Sequence, residues 1–269
     1  MADVNLLEPI HLLLSREELL FVLHTFGLAT MPGIEDDPTG PLIAEQQAVA
    51  LRVAERALRA RQLAWVQADD QLALHRNLLA AVGACAYAEK AIFVYHWSAG
   101  QTLPTPCFAH IRGPDCVLHR RPADVLHLFS LLPSLARLTQ QLLAACEYTT
   151  PAATLPATEL RIPGEAFVQI REQVDGGSVQ RALDLLTRYA PARAAAQALV
   201  DTLRDGLRVS NLQLLNQHNG AVERQDYLLL QNAQYTWLGT TAGNNGATTV
   251  TLKPAIGADV ETLLTAWLT

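Results

Sequence analysis

Eight histidines and four cysteines are the residues with which this 269-residue chain could hold a metal or move a proton. The densest grouping is Cys107, His110, Cys116 and His119, on two β-like runs, 106–112 and 115–120, joined at Gly113-Pro114. Cys107 and His110 are three positions apart, as are Cys116 and His119, so on strands the members of each pair point to opposite faces. One hairpin then offers at most two ligands per face, too few for a closed zinc site. The cysteines, Cys85, Cys107, Cys116 and Cys146, lack C-x-x-C spacing and read as free buried thiols in a reducing cytoplasm. His96, beside Trp97, reads as a strand-edge residue rather than a general base.

Nucleophilic and phosphate chemistry find no support either. There is no G-x-S-x-G elbow, no S-x-x-K, and no cysteine with an argued His and Asn partner. The stretch Gly243-Asn244-Asn245-Gly246 lacks the Gly-Lys-Ser/Thr ending of a phosphate loop and joins strand to strand. Gly176-Gly177 follows a helical segment and serves as its C-cap. The acid pairs Glu17-Glu18, Asp36-Asp37 and Asp69-Asp70 sit at helix starts or turns, where capping and solvation explain them. The expectation is a protein with no catalytic residue, no cofactor and no metal, and hence no enzyme.

Composition points to a packed α+β chain. Half the residues are apolar but only 6% are aromatic and 17% charged, so the core is built from Leu, Ala and Val. Twenty basic against 26 acidic residues give a net charge of −6, and a global basic footprint for nucleic acid is absent. Residues 1–14 lack the basic n-region and cleavage site of a signal peptide, and no apolar run approaches the ~20 residues that cross a bilayer. The chain is expected to be cytoplasmic.

The first half reads as helices followed by strands. Ser15 with Glu17 and Glu18 marks a helix start, carrying Leu19, Leu20, Val22, Leu23 and Phe26. A Pro/Gly/Asp loop spans 29–41, and a second helix spans 43–61. Runs at 63–66 and 72–74 flank a hairpin, and 75–82 is a short helix. Strands are expected at 91–96, 106–112 and 115–120. A helix should then begin at Pro122, with Val125, Leu128, Phe129 and Leu132 on one face. Pro133 interrupts it, and 135–146 continues as helix.

A Pro- and Thr-rich stretch, 149–163, reads as a linker. Beyond it lie helices at 165–174, 178–189 and from Pro191 to about 203. Apolar runs follow at 207–215, 226–231, 235–239 and 248–252, and 258–268 is a closing helix. The order of the halves is alike, and Ala123-Asp124-Val125 matches Ala258-Asp259-Val260. The expected fold is therefore α+β, with two pseudo-equivalent halves, 1–148 and 164–269. Each holds helices plus antiparallel strands closed by a helix, in a quasi-two-fold arrangement around a central sheet.

Segment 15–82 resembles a winged-helix order, with Arg52, Arg56, Arg59 and Arg61 on or near its second helix. Glu55 on that helix, Asp69-Asp70 in the hairpin and the net charge of −6 argue against DNA as the partner.

A family resemblance rests on residues 14–20 (Leu-Ser-Arg-Glu-Glu-Leu-Leu), 55–63, 227–230, 235–238 and the final helix from Ala258. With its two-halved layout, the chain resembles the EspG family of chaperones associated with ESX (type VII) secretion. The resemblance implies cytosolic binding of a helical secreted protein, without catalysis or cofactor. From the residues themselves, the Pro-containing stretch 97–106 is the candidate contact, with Trp97, Leu103 and Pro104 as partner-binding residues. A structural subunit of a larger complex would read the same way.

Overall fold

The computed structural model describes residues 8–34, 42–123, 125–153, 155, 158–190, 192–218, 221–244 and 247–269. Asp36, Asp37, Asp124, Pro191, Asn245 and Gly246 lie outside these residues. The chain opens with strand β1 (Ile10–Ser15), helices α1 (Arg16–Thr25) and α2 (Ala44–Ala60), a small hairpin of β2 (Ala64–Val66) and β3 (Leu72–Leu74), and α3 (Arg76–Ala86). Four strands follow, β4 (Lys90–Trp97), β5 (Thr105–Arg112), β6 (Asp115–Ala123) and β7 (Leu126–Leu132), then α4 (Leu135–Ala145).

The second part repeats this order without the hairpin. It runs β8 (Leu160–Pro163), α5 (Gly164–Asp175), α6 (Val179–Leu186), α7 (Arg193–Arg204), β9 (Arg208–His218), β10 (Ala221–Gln231), β11 (Thr236–Asn244), β12 (Ala247–Pro254) and α8 (Gly257–Leu268). The large sheet has ten strands in the order β1-β7-β6-β5-β4-β9-β10-β11-β12-β8, so corresponding strands lie equally far from the two edges. Its centre is the antiparallel seam of β4 and β9, from Lys90 opposite Asn216 to Trp97 opposite Val209.

Residues directly opposite across a ladder share a face, which sorts the core into layers. Ile92, Val94, Cys107, Ala109, Leu118, Leu212, Leu214 and Leu229 face α4 and α8. On the other face, α1–α3 cover β1, β6 and β7 around Leu12, Leu14, Val117 and Phe129. On that same face α5–α7 cover the far end, where Leu230, Trp237, Val250 and Leu252 are buried. Trp237 is held there by its indole N–H, which donates to Thr202 Oγ1 at 3.1 Å.

The start of α1 forms as its sequence demands. Ser15 Oγ accepts from the Glu18 amide at 3.2 Å, and Glu18 Oε2 accepts from the Ser15 amide at 2.9 Å. This reciprocal cap satisfies two otherwise orphaned donors.

Residues 122–132 depart from expectation, because the helix read there is strand β7. Its burial runs on both faces, with His127, Phe129, Ser130 and Leu132 all buried. A strand covered by helices on both sides carries apolar residues without alternation, and its positions then also satisfy a helical spacing. The equivalence of residues 123–125 with 258–260 fails for the same reason, since Ala123 ends a strand while Ala258–Val260 lie in the first turn of α8. By order, the counterpart of α8 is α4. Each half contributes five strands to the sheet, against the three expected in the first half and the four apolar runs of the second. β8 lies inside the stretch 149–163 read as linker, and β1 lies just before the helix start at Ser15, where no strand was expected.

Candidate partner-binding surface

Trp97 is the last residue of β4 and is half-buried opposite Val209. The chain then turns through 98–104, where the Ser98 amide donates to Gln101 Oε1 at 3.1 Å and Gly100 takes a φ of +81°. Leu103 is 78% exposed, far more than any other large apolar side chain described. Leu103 and Pro104 share the wall of a cavity of about 380 Å³ with Tyr95, Pro106, Arg121 and Pro122. Trp97 does not line it. The structure thus brings Leu103 and Pro104 together and sets Trp97 apart, as a strand residue rather than a loop residue.

The tertiary structure adds a surface that segment-by-segment reading misses. Among the described residues, no helix packs on the middle of one sheet face, between the α1–α3 and α5–α7 layers. Along β4 the burial alternates: Ile92, Val94 and His96 are buried, while Phe93, Tyr95 and Trp97 are half-open. Asn211, Gln213 and Leu215 continue this strip on β9. Phe93 and Tyr95 lean on the Phe108 ring, with centroids 5.2 and 6.1 Å away and planes near perpendicular. The strip therefore presents aromatic edges flanked by amides, next to the 98–104 loop. The alternation in 91–97 was the available signal, but which strands go uncovered depends on sheet order.

His96 sits in a buried polar knot. Its Nδ1 is 2.9 Å from Ser210 Oγ, its opposite residue on β9, and its Nε2 is 3.4 Å from Glu147 Oε2. Ser98 Oγ donates to Glu147 Oε1 at 2.7 Å, and Arg208 donates to the Glu147 carbonyl at 2.8 Å. Burial pushes the His96 pKa down, with the Glu147 charge acting against it. The Ser98 hydrogen bond is the main cause holding the Glu147 carboxyl below its usual range. A Ser–His–Glu set invites a hydrolase reading, but Ser210 is fully buried and no substrate carbonyl can reach it. The knot fastens the central seam to the end of α4.

Three further histidines, His110, His119 and His127, lie on the α1–α3 face. His119 Nε2 is 2.9 Å from His127 Nδ1, and the His119 ring stacks on Phe129 at 4.5 Å. Both ring nitrogens of His110 are buried without a hydrogen-bond partner. Burial brings His110 down to about 3 and His127 to about 4, the latter with help from Arg121 and Arg16. His119 falls well below the usual value through burial first and its histidine neighbours second. Cys107 and Cys116 face α4 and α8 instead. Among the described residues no three His, Cys, Asp or Glu side chains are grouped to hold a metal. All four cysteines are buried and unbridged.

No family model matches the chain, and no curated protein matches it by sequence. A solved structure does: the Mycobacterium tuberculosis type VII secretion system chaperone EspG5, in complex with the PE25–PPE41 dimer. The two superpose with a TM-score of 0.64 over 96% of each chain, at 11% sequence identity. The fold is the EspG5 fold. At that identity the likeness to EspG5 is one of architecture, and the resemblance read from the sequence holds at that level.

An EspG5-like fold also places segment 15–82. α1, α2, the hairpin and α3 form a layer on the sheet, with Leu19, Leu23, Leu58 and Leu78 buried in one cluster with β1 and β7. On this layer Arg59 pairs with Glu55 at 3.4 Å, and Arg61 is bound to Glu18. Binding to duplex DNA is therefore expected to be weaker than about 1 μM at physiological salt. A gel shift with tight, salt-sensitive retardation would overturn that expectation.

Proposed function

We propose that this chain is a non-enzymatic, cytoplasmic, chaperone-like adaptor that holds the apolar tip of a helical secreted protein. The fold likeness to EspG5, a chaperone solved with a PE25–PPE41 dimer, carries this reading. The surface described above gives it a physical basis. Leu103 and Pro104 project an apolar contact, and the Phe93–Tyr95–Trp97 strip supplies aromatic edges of the kind that anchor interfaces. An amphipathic helical tip laid on such a strip would bury apolar atoms with few ion pairs. We further propose that residues 1–148 and 164–269 are pseudo-equivalent units related by a quasi-two-fold axis at the β4–β9 seam, joined through 149–163. No helix among the described residues is long and apolar enough to cross a membrane.

The test is co-purification with secreted helical proteins from the native organism, followed by alanine substitution. Leu103→Ala is expected to weaken association by about 1–2 kcal/mol and leave the melting temperature unchanged, because Leu103 contacts solvent. Trp97→Ala should lower both affinity and melting temperature, since it packs against the neighbouring strand. Recovery of a stable enzyme or membrane complex, with no helical secreted protein, would refute the adaptor reading.

A further inference from the structure

β6 ends irregularly. Its pairing with β7 runs as far as Arg120 opposite Leu128 and resumes only at Ala123 opposite Leu126. Such a bulge breaks the alternation of side chains and re-aims them. Here both Arg120 and Arg121 line a cavity of about 470 Å³ between α4 and the β4–β5 loop, with Ser98, Gln101, Gln141 and Glu147 on its other walls.

The donors and acceptors of this cavity do not balance. Arg120 Nε is sealed from solvent and has no hydrogen-bond partner, and among the described residues no carboxylate lies within ion-pair distance of Arg120. Glu147, the one carboxylate on the walls among the described residues, is already engaged by Ser98 at 2.7 Å and lies 3.4 Å from His96. Gln101 accepts from the Ser98 amide through Oε1, which leaves its NH₂ group as a donor. Gln141 adds a second side-chain amide.

Arg120 is half-buried, and its Nε has lost water without gaining an acceptor, which is costly; the planar fork of the guanidinium matches a carboxylate in two parallel hydrogen bonds. Glu147 on the same cavity repels a dianion more than a monoanion, which favours carboxylate over phosphate. Pro106, Leu128 and Ala144 provide apolar wall for a short aliphatic stem. The volume falls within the ~300–1,000 Å³ typical of small-ligand sites.

We propose that this cavity is a binding site for a carboxylate carried on a short aliphatic stem, with Arg120 as its anchoring cation. The carboxylate belongs either to a free organic acid or to a glutamate side chain of a bound polypeptide. Both sources present the same group to Arg120.

The experiment is a ¹⁵N NMR titration of the full chain, following the Arg120 Nε–H resonance and the amides of 98–106. Three probes are used: butyrate, an acetylated and amidated Ala-Glu-Ala peptide, and inorganic phosphate. Saturable shifts with butyrate or the peptide are expected, and the tighter of the two identifies the source. Arg120→Met should weaken that binding at least tenfold. Arg120→Lys, which keeps the charge but not the fork, should weaken it less, and it serves in place of the Met variant if that variant fails to fold. No saturable shift with either carboxylate, tighter binding of phosphate, or unchanged affinity in the folded substituted proteins overturns the proposal.

Discussion

Acidification from pH 7 to pH 5 is expected to strip this protein of much of its stability. His110 and His127 are buried, at 0% and 2% exposure, and burial holds them at about 3 and about 4. In the unfolded chain each would titrate near 6.5, so below that pH the unfolded state binds protons that the folded state refuses. Stability is therefore intact above about pH 6.5 and falls as pH drops through the window down to the folded values. Each of the two contributes a loss of about 2 kcal/mol between pH 7 and pH 5, or about 4 kcal/mol together. His119, depressed by burial and by its neighbours, acts in the same direction. Arg16 and Arg121 lie near enough to His127 to oppose its protonation. Against a typical total of ~5–15 kcal/mol, this brings the fold close to its limit. Urea unfolding at pH 7, 6 and 5 measures it, and His127→Gln should flatten the slope. A free energy of unfolding that is level across this range would contradict the buried, neutral state of these rings.

Removing Arg61 is expected to cost about 2–3 kcal/mol, with the protein's edge exposed as well. Its guanidinium donates to both Glu18 oxygens at 2.8 Å and, through Nη2, to the Leu13 carbonyl at 2.7 Å. Glu18 is only 5% exposed, so truncating its partner leaves a carboxylate buried without a cation. The usual cost of ~3–5 kcal/mol is reduced because the Arg61 side chain itself is 41% open to water. Leu13 lies on β1, at the end of the ten-stranded sheet, and its carbonyl is covered by this side chain. Arg61→Ala should therefore lower the urea midpoint and raise aggregation. Arg59→Ala is the control, since its exposed pair with Glu55 is worth about 0.5 kcal/mol at most. Equal midpoints for the two variants would remove Arg61 from the framework of the fold.

The sequence alone determined what short-range rules control. The Ser15 cap with its acids, the turn at Gly113, the strands at 91–96, 106–112 and 115–120 and the closing helix at 258–268 follow from local chemistry, and all stand in the structure. The Leu/Ala/Val core and the opposite facing of Cys107 and His110 follow from composition and the two-residue period of a strand. The likeness to the EspG5 fold was legible from the order of elements, because the two chains share that order at only 11% identity.

Sheet neighbours decided the rest. β7 is a strand because β1 and β6 flank it and helices cover both its faces, and its own residues satisfy either period. β1 and β8 form only when strands far along the chain offer them an edge, so no local turn announces either. Arg61 reads as part of a basic helix face until Glu18, 43 positions away, is folded beside it. The open aromatic strip on β4 and β9 and the unpaired Arg120 likewise exist only once the layers are placed. Periodicity assigns a residue to a face, but the long-range pairing of strands and helices decides whether that face is covered.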